Sequence, residues 1–392
     1  MTAAPRFFMI AGEPSGDQLG AALMAGLRDE TDGHVVFEGV GGPLMQAQGL
    51  DSLFPMDQLS VMGIAEVLPR LPLILRRIRE TSEAVVASRP AALITIDSPD
   101  FCLRVAKRVR ARRPEVRTIH YVAPSVWAWR PGRAAKMARV IDHVLALLPF
   151  EPPYMTAAGM TCDFVGHPVV TVPPATPSER AALRAVAGLG ADQPMLALLP
   201  GSRAGEIKRH AALFRDVWDR LATAHPGLAC VIPTVPDRAA AVQALFQNAP
   251  VRPYILNPSH HSRPERLKQA AFADAAAALA VSGTVSLELA AAGTPMTVAY
   301  RMSPLSAAIA RRLVSIRYAS LVNIIEDAPI IPEYLQEHAT ADALTAEVSK
   351  LLSTPTLRDA QTSRFETVMT ALGRSGPAPG RRAARSVLSA LR

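Results

Sequence analysis

The chain contains 392 residues, of which 49% are hydrophobic and 19% are charged. This composition excludes a disordered or fibrous protein, and the length favours two domains, each with its own core. The three cysteines, Cys102, Cys162 and Cys230, are far apart and form no C-x-x-C pair. They predict no disulfide framework, as is usual in a reducing cytoplasm.

The apolar segments are too short or too interrupted to act as a signal peptide or to cross a membrane. The first, at residues 7–10, is typical of a strand. The most apolar stretch, at about 275–300, is broken by glycine, glutamate and proline, which favours a buried strand–helix–strand.

Positive charge is concentrated in the first half of the chain. The net charge is +8, and residues 61–150 carry 16 Lys and Arg against seven Asp and Glu. This excess predicts an anionic partner, whether membrane lipid, phosphorylated substrate or nucleic acid. A solvated, slightly basic surface is the simpler alternative.

Short apolar strands alternate with helical stretches in the first half. We predict strands at 7–11, 35–39, 92–97, 118–122 and 144–148, and helices that include 17–27, 70–87 and 103–112. Fully apolar strands that alternate with helices indicate a parallel sheet covered on both faces.

The alternation restarts after a proline-rich linker at 169–177. Predicted strands follow at 195–199, 229–233, 254–256, 276–280 and 296–299, with helices that begin near 204, 237, 264, 284 and 304. We therefore predict an N-terminal domain at 1–170, a C-terminal domain at 171–350 and a helical tail at 351–392. Two such doubly wound domains would place the carboxyl ends of both sheets around a cleft, where ligands bind in open α/β sheets.

The turn Pro200-Gly201-Ser202-Arg203 joins a predicted strand to a predicted helix. Such a turn exposes the first amides of the helix to an anion, and the helix dipole favours negative charge there. Gly201 allows close approach of the backbone, Ser202 is suited to cap the helix, and Arg203 is suited to a two-pronged contact with phosphate. No G-K-[ST] follows, so the turn is not a Walker loop. Taken alone, such a turn has a purely structural role about as often as it binds a ligand.

A second strand-to-helix turn contains Ser282, Gly283 and Thr284, which offer amides and hydroxyls at a helix start. Glu288, one turn into that helix, is placed to accept hydrogen bonds from ribose hydroxyls. Its alternative role is to interact with the helix dipole. The second turn therefore has the same predicted function as the first.

The first half carries three further candidate segments. Residues 12–17 follow the first strand and open a helix, but lack the G-x-G-x-x-G of a dinucleotide site. Asp97 ends a strand, a position suited to a general base. Trp127 and Trp129 lie on a predicted loop, where such rings stack on sugars or bases or fill a domain interface. No H-E-x-x-H motif or Cys/His cluster is present, so we expect no metal site. No G-x-S-x-G nucleophile elbow is present either.

A basic, leucine-rich segment spans residues 67–79. Its apolar residues Leu73, Ile74 and Leu75 are followed by three arginines, Arg76, Arg77 and Arg79. This combination is typical of helices that lie in a membrane interface. An ordinary amphipathic helix on the domain surface is the alternative.

Taken together, these motifs resemble those of the lipid-A-disaccharide synthases, bacterial glycosyltransferases with GT-B architecture. The most specific is HYVAPSVWAWR at 120–130. The others are AGEPSGD at 11–17, VMGIAEV at 61–67, IDSPDF at 96–101, LPFE at 148–151, FVGH at 164–167, LPGSR at 199–203, SGT at 282–284 with Glu288, YRM at 300–302, ASLVN at 319–323 and PEYLQ at 332–336. The resemblance covers about 7–351, with small departures at Pro14 and Val322.

The resemblance implies a specific inverting reaction without a cofactor. UDP-2,3-diacylglucosamine would react with 2,3-diacylglucosamine 1-phosphate to give UDP and a β-1,6 disaccharide. Asp97 would take the proton of the acceptor's 6-hydroxyl, while Arg203 and the amides after Pro200 hold the departing diphosphate. The implied UDP-sugar-binding residues are Gly201, Ser202, Ser282, Gly283, Thr284, Glu288 and Asn323. Those on the acceptor or donor-sugar side are Glu13, Ser15, Gly16, Asp17, Ser125 and Trp127.

The resemblance also gives the basic segment a role. Both substrates carry acyl chains and lie beside the inner membrane, whose surface is anionic. We therefore expect a cytoplasmic protein that docks on the inner face of that membrane through residues 70–79 and binds no nucleic acid. Its tail would either return to the first domain or be exchanged in a homodimer.

Two alternatives stay open. One is another GT-B enzyme, such as a UDP-sugar epimerase, which needs no acylated acceptor. The other is a non-catalytic basic protein that binds lipid or nucleic acid, although the basic half has no recognised nucleic-acid module. Release of UDP only in the presence of the acceptor would distinguish the transferase from both.

Overall fold

The computed structural model describes residues 4–59, 64–129, 132–303, 307 and 316–392, and of residues 64–68 it describes the backbone alone. The chain forms two compact units. The first contains Met1–Thr171 and Leu372–Arg392, and the second contains Val172–Ala371. The segment predicted as a helical tail, 351–392, is thus divided between the two units.

Within the described residues, the sheet of the first unit has seven strands, and each strand pair is parallel. The strands are β1 (Arg6–Ala11), β2 (Val36–Val40), β3 (Asp51–Ser52), β4 (Ala92–Ile96), β5 (Arg117–Tyr121), β6 (His143–Ala146) and β7 (Thr161–Phe164). Their order in the sheet is β3-β2-β1-β4-β5-β6-β7. The residues of β4 are all buried, because helices cover both faces of the sheet.

The helices of the first unit begin mostly at prolines. They are α1 (Pro14–Glu30), α2 (Pro43–Ala47), α3 (Ile64–Ser88), α4 (Pro99–Arg112), α5 (Gly132–Met137) and α6 (Pro152–Thr156). Proline is favoured in the first helical turn because its missing N–H has no partner there in any case. Many of the chain's prolines therefore mark helix starts.

The second unit repeats the same strand order. Its strands are β8 (Met195–Leu199), β9 (Ala229–Pro233), β10 (Tyr254–Leu256), β11 (Ala277–Val281), β12 (Met296–Tyr300) and β13 (Glu333–Leu335), arranged β10-β9-β8-β11-β12-β13. Its helices are α7 (Pro177–Ala187), α8 (Ala204–Ala224), α9 (Ala239–Phe246), α10 (Pro264–Asp274), α11 (Val285–Ala292), α12 (Leu321–Glu326), α13 (Ala341–Ser353) and α14 (Pro355–Ala371). The strand order reverses between β8 and β11, which is where ligands bind in open α/β sheets.

The last helix, α15 (Pro379–Ala390), packs against α1 within the first unit. Its buried residues Ala383, Ala384 and Val387 complete the apolar core on that face of the sheet. The two helices approach closely, because a Cβ built on Gly26 would lie 2.5 Å from the carbonyl oxygen of Gly380. The crossing therefore requires glycine at both positions.

The predicted fold class is confirmed: the chain has two doubly wound α/β units and a helical C-terminal segment. The strand predicted at 144–148 is displaced and ends at Ala146. The sequence patterns missed β3, β7 and β13, which are short and carry polar residues. The helix predicted from residue 304 falls on a segment that lies outside the described residues.

Candidate functional site

Two turns in the second unit leave neighbouring strands and lie side by side. The turn at 200–203 follows β8, and the turn at 282–284 follows β11, which pairs directly with β8. Together they line a cavity of about 420 Å³. The structure thus brings together most of the residues predicted to bind the UDP-sugar, namely Gly201, Ser202, Arg203, Ser282, Gly283, Thr284 and Glu288.

The first turn differs in one detail from the prediction. The residue that caps α8 is Arg203, so Ser202 is not the cap. Gly201 has φ +117°, a conformation that favours glycine, and a Cβ built there would lie 2.6 Å from the Cβ of Glu206. Glycine is therefore required at this position both by the backbone and by the approach of Glu206.

Glu206, which the sequence patterns did not single out, holds the first turn. Its Oε2 accepts hydrogen bonds from the backbone N–H groups of Ser202 at 3.1 Å and Arg203 at 3.2 Å. Its Oε1 lies 3.3 Å from Nη1 of Arg203. A capping box has this geometry, with a glutamate at the third helical position reaching back to the cap. Two backbone N–H groups of the proposed anion-binding turn therefore already donate to a carboxylate of the chain itself.

Lys268 is the second residue of the cavity that sequence patterns missed. Its Nζ lies 2.8 Å from Oε2 of Glu288 and 3.2 Å from Oε2 of Glu265. Burial disfavours the charged amine, but the ion pairs with Glu288 and Glu265 outweigh burial, and the pKa of Lys268 is raised. Lys268 thus adds a positive charge to the cavity and fixes one oxygen of Glu288.

Asn323, also predicted to bind the UDP-sugar, is not among the described residues that line this cavity. The Asn323 side chain is buried, and its amide oxygen accepts hydrogen bonds from the N–H groups of Ile330 and Ile331. Its amide nitrogen donates to the Ile331 carbonyl and to Glu333. The side chain is therefore occupied in holding the connection between α12 and β13.

In the first unit, Asp97 lies at the carboxyl end of β4 and is half-buried. Its φ is +51°, and the next residue, Ser98, has φ +42°. Val122, which follows the neighbouring strand β5, has φ +85°. Left-handed backbone costs a non-glycine residue about 1–3 kcal/mol, and such strain is often found at functional sites. Three residues with strained backbone thus lie at the carboxyl ends of the neighbouring strands β4 and β5, where Asp97 is found.

The predicted residues at the start of α1 differ in burial and in role. Glu13 is half-buried and Ser15 is exposed. A Cβ on Gly16 would lie 3.4 Å from the carbonyl oxygen of Ile96, so Gly16 permits close packing of α1 on β4. The carboxylate of Asp17 is buried and accepts hydrogen bonds from the backbone N–H groups that begin α2, those of Gly42, Leu44 and Met45.

The loop that carries Trp127 and Trp129 is hydrogen-bonded to a buried carboxyl group, that of Glu151. Trp127 donates from Nε1 to Oε1 of Glu151 at 3.3 Å and packs edge-on against Phe150. Glu151 also accepts the N–H groups of Leu147 and Leu148. Burial raises the pKa of Glu151 to about 7. Ser125 is exposed on the same loop, whereas Arg130 lies outside the described residues.

The basic segment is part of α3, and only some of its side chains are free at the surface. Leu71 and Leu75 are 36% and 49% exposed, and Arg76 is also exposed. Ile74 packs against the core, and Leu73 is half-buried. Arg77 stacks on Phe54 and pairs with Glu80, and Arg79 pairs with Glu83.

The described residues contain neither a cluster suited to a metal ion nor a helix that could span a membrane. No group of three or more His, Cys, Asp or Glu side chains in this part of the chain is arranged to hold a metal ion. In the same part of the chain, every helix is too short or too polar to span a membrane.

Solved structures share this fold. A putative UDP-N-acetylglucosamine 2-epimerase from Listeria monocytogenes superimposes with a TM-score of 0.63 at 13% identity, over 99% of this chain and 96% of that one. A glycosyltransferase from Rickettsia africae gives 0.60 at 11% identity, over 100% and 98%. These likenesses show the GT-B fold alone.

The sequence comparisons identify the family. Residues 7–377 match the family described as lipid-A-disaccharide synthetase. The lipid-A-disaccharide synthase of Ruegeria pomeroyi is 52% identical over 98% of this chain and 95% of its own length. That of Rhodospirillum centenum is 48% identical over 98% and 94%. The predicted resemblance is thus confirmed, and the chain belongs to the lipid-A-disaccharide synthase family.

Proposed function

We propose that this chain transfers the diacylglucosamine of UDP-2,3-diacylglucosamine to the 6-hydroxyl of 2,3-diacylglucosamine 1-phosphate. Family membership makes the chain a glycosyltransferase of lipid A biosynthesis. The observation that carries the proposed donor site is the cavity between the turns at 200–203 and 282–284, at the reversal point of the strand order.

The donor's UDP would bind in this cavity through charge and hydrogen bonds. Arg203 and the turn formed by Ser282, Gly283 and Thr284 would hold the diphosphate, since both line the cavity. Glu288 would accept hydrogen bonds from the ribose hydroxyls through its Oε1 atom, because its Oε2 atom forms the ion pair with Lys268.

The reaction requires a base and a stabilised leaving group. The acceptor's 6-oxygen would attack the anomeric carbon from the face opposite to UDP, so the bond between that carbon and the diphosphate oxygen breaks with inversion. Asp97 would take the 6-hydroxyl proton, and Arg203 would stabilise the charge that develops on the diphosphate. Glu13, Ser15, Ser125 and Trp127 would contact the sugars, whereas Gly16 and Asp17 support α1 and α2.

Docking on the anionic inner face of the inner membrane would bring the enzyme to its acylated substrates. The support for this step is the exposed part of α3, where Leu71 and Leu75 lie one turn apart beside Arg76. Among the predicted residues, Arg77 and Arg79 are engaged by carboxylates of the same helix. A homodimer remains a prediction.

A single assay tests the proposed reaction. The enzyme is incubated with UDP-2,3-diacylglucosamine, with and without 2,3-diacylglucosamine 1-phosphate, and released UDP is measured. We expect UDP only when the acceptor is present. Conversion of the donor without acceptor would indicate an epimerase, and no reaction in either case would indicate a binding protein.

A further inference from the structure

Glu206 occupies the groups that a helix N-terminus usually presents to an anion. Both backbone N–H groups of the turn, those of Ser202 and Arg203, point at its Oε2, at 3.1 and 3.2 Å. The side chain of Glu206 is 16% exposed, whereas that of Arg203 is 67% exposed. A diphosphate in this cavity therefore meets the Arg203 guanidinium before it meets those two amides.

The contact between Glu206 and the turn is tight. The positive φ of Gly201 turns the backbone over the helix start, and its missing Cβ leaves room for the side chain of Glu206. The same carboxylate lies 3.3 Å from Nη1 of Arg203 through its second oxygen. One side chain thus fixes the backbone of the turn and one end of the guanidinium that the turn carries.

We infer that Glu206 is a positioning residue for donor binding, which holds the turn closed and directs Arg203 toward the diphosphate. This inference rests on the proposed UDP site. An arginine held in advance loses less conformational freedom when it binds phosphate, so a fixed turn binds more tightly than a mobile one. The amides of Ser202 and Arg203 then support the turn and do not bind the ligand.

The negative charge of Glu206 gives the inference a direction that can be tested. A carboxylate beside a diphosphate repels it, so a residue that merely filled the site would weaken UDP binding. A positioning residue strengthens UDP binding in spite of its charge. The two roles predict opposite changes in UDP affinity when the side chain is removed.

The test measures UDP affinity by titration calorimetry in the full-length protein. We expect E206A to bind UDP about tenfold more weakly than wild type. We expect E206Q to recover most of that loss, because a glutamine oxygen can still accept from the turn. In an R203A background, E206A should cause little further loss, since Glu206 acts through Arg203. Competition by uridine, which has no phosphate, should be the same in all variants.

A matched control is available in the same unit. Glu179 occupies the same third position of α7 and forms a capping box with Thr176, and it is not among the described residues that line the donor cavity. E179A should leave UDP affinity unchanged, which separates the loss of a helix cap in general from the loss of this one.

Two outcomes would overturn the inference. Tighter UDP binding by both E206A and E206Q would show that the carboxylate competes with the ligand. Unchanged UDP affinity in folded E206A would show that Glu206 is a purely structural cap. Failure of the wild-type protein to bind UDP would instead refute the proposed function on which the inference rests.

Discussion

The Nζ atom of Lys268 lies 2.8 Å from Oε2 of Glu288, on the wall of the cavity formed by the two strand-to-helix turns. The pair joins α10 to α11, and the side chain of Lys268 is half-buried. In the proposed donor site, Lys268 would face the diphosphate and Glu288 would face the ribose.

Replacement of Lys268 by methionine should weaken UDP binding about tenfold, which corresponds to about 1.4 kcal/mol. Methionine keeps the apolar stem but removes the charge and leaves Glu288 without its ion pair. Calorimetric titration with UDP measures the effect. Lys350→Met is the control, because Lys350 pairs with Glu347 at the surface of the same unit. Equal UDP affinity in Lys268→Met and wild type would contradict the proposed role.

Replacement of Asp97 by asparagine should lower kcat by roughly 10²- to 10⁴-fold, the usual contribution of a general base. UDP affinity should not change, because the variant keeps the shape of the side chain and loses only its ability to take a proton. Steady-state release of UDP and UDP titration are measured on the same preparation. Asp100→Asn, three residues further on and exposed, should behave as wild type. Near-full turnover in Asp97→Asn would rule out Asp97 as the base.

Replacement of Leu71 and Leu75 by serine should reduce binding to vesicles that contain anionic phospholipid, by about tenfold for each leucine. Both side chains are exposed, so the fold should be unaffected. Co-sedimentation with vesicles measures the change. Leu245→Ser, at an exposed leucine of the second unit, is the control. The membrane role of α3 is wrong if the double variant still sediments like wild type.

Two histidines of the first unit, the buried His120 and the half-buried His167, predict a loss of stability in acid. Burial lowers the pKa of His120 and of His167 to about 4, from a usual value near 6.5. His120 shares a hydrogen bond with Thr95, and Nδ1 of His167 accepts the N–H of Val169. Below pH 6.5 the unfolded chain binds protons that the folded chain does not, so stability falls as the pH falls toward 4.

The expected loss is on the order of 3 kcal/mol for each histidine once the pH has reached about 4. Urea unfolding at pH 7.5, 6.0 and 4.5 measures the free energy of unfolding. Replacement of His120 by glutamine should flatten the dependence. A stability that is constant between pH 6.5 and 4.5 would contradict the assignment of neutral imidazoles in the folded chain.

The parts of the site that could be predicted are those written in consecutive residues. The turns at 200–203 and 282–284 each follow a fully apolar strand, and glycine and hydroxyl residues mark them in the sequence. Their meeting follows from the pairing of β8 with β11, which is a property of the doubly wound order.

Residues that act through packing could not be predicted in this way. Lys268 lies on α10, and nothing near it in the sequence indicates that it meets Glu288. Asn323 was expected to bind the donor, but the direction of its side chain depends on the chain around 330–331. The strands β3 and β13 were not predicted because each is short and contains a carboxylate residue, so neither shows a continuous apolar pattern.

The packing of α15 on α1 has a consequence for how the protein is made. Ala383, Ala384 and Val387 belong to the core that contains β1, which is synthesised before the whole of the second unit. The first unit therefore cannot bury that face of its sheet until α15 has been synthesised. The second unit, whose residues are all made earlier than α15, can complete its core first. The unit that contains β1 is thus expected to complete its core after the second unit.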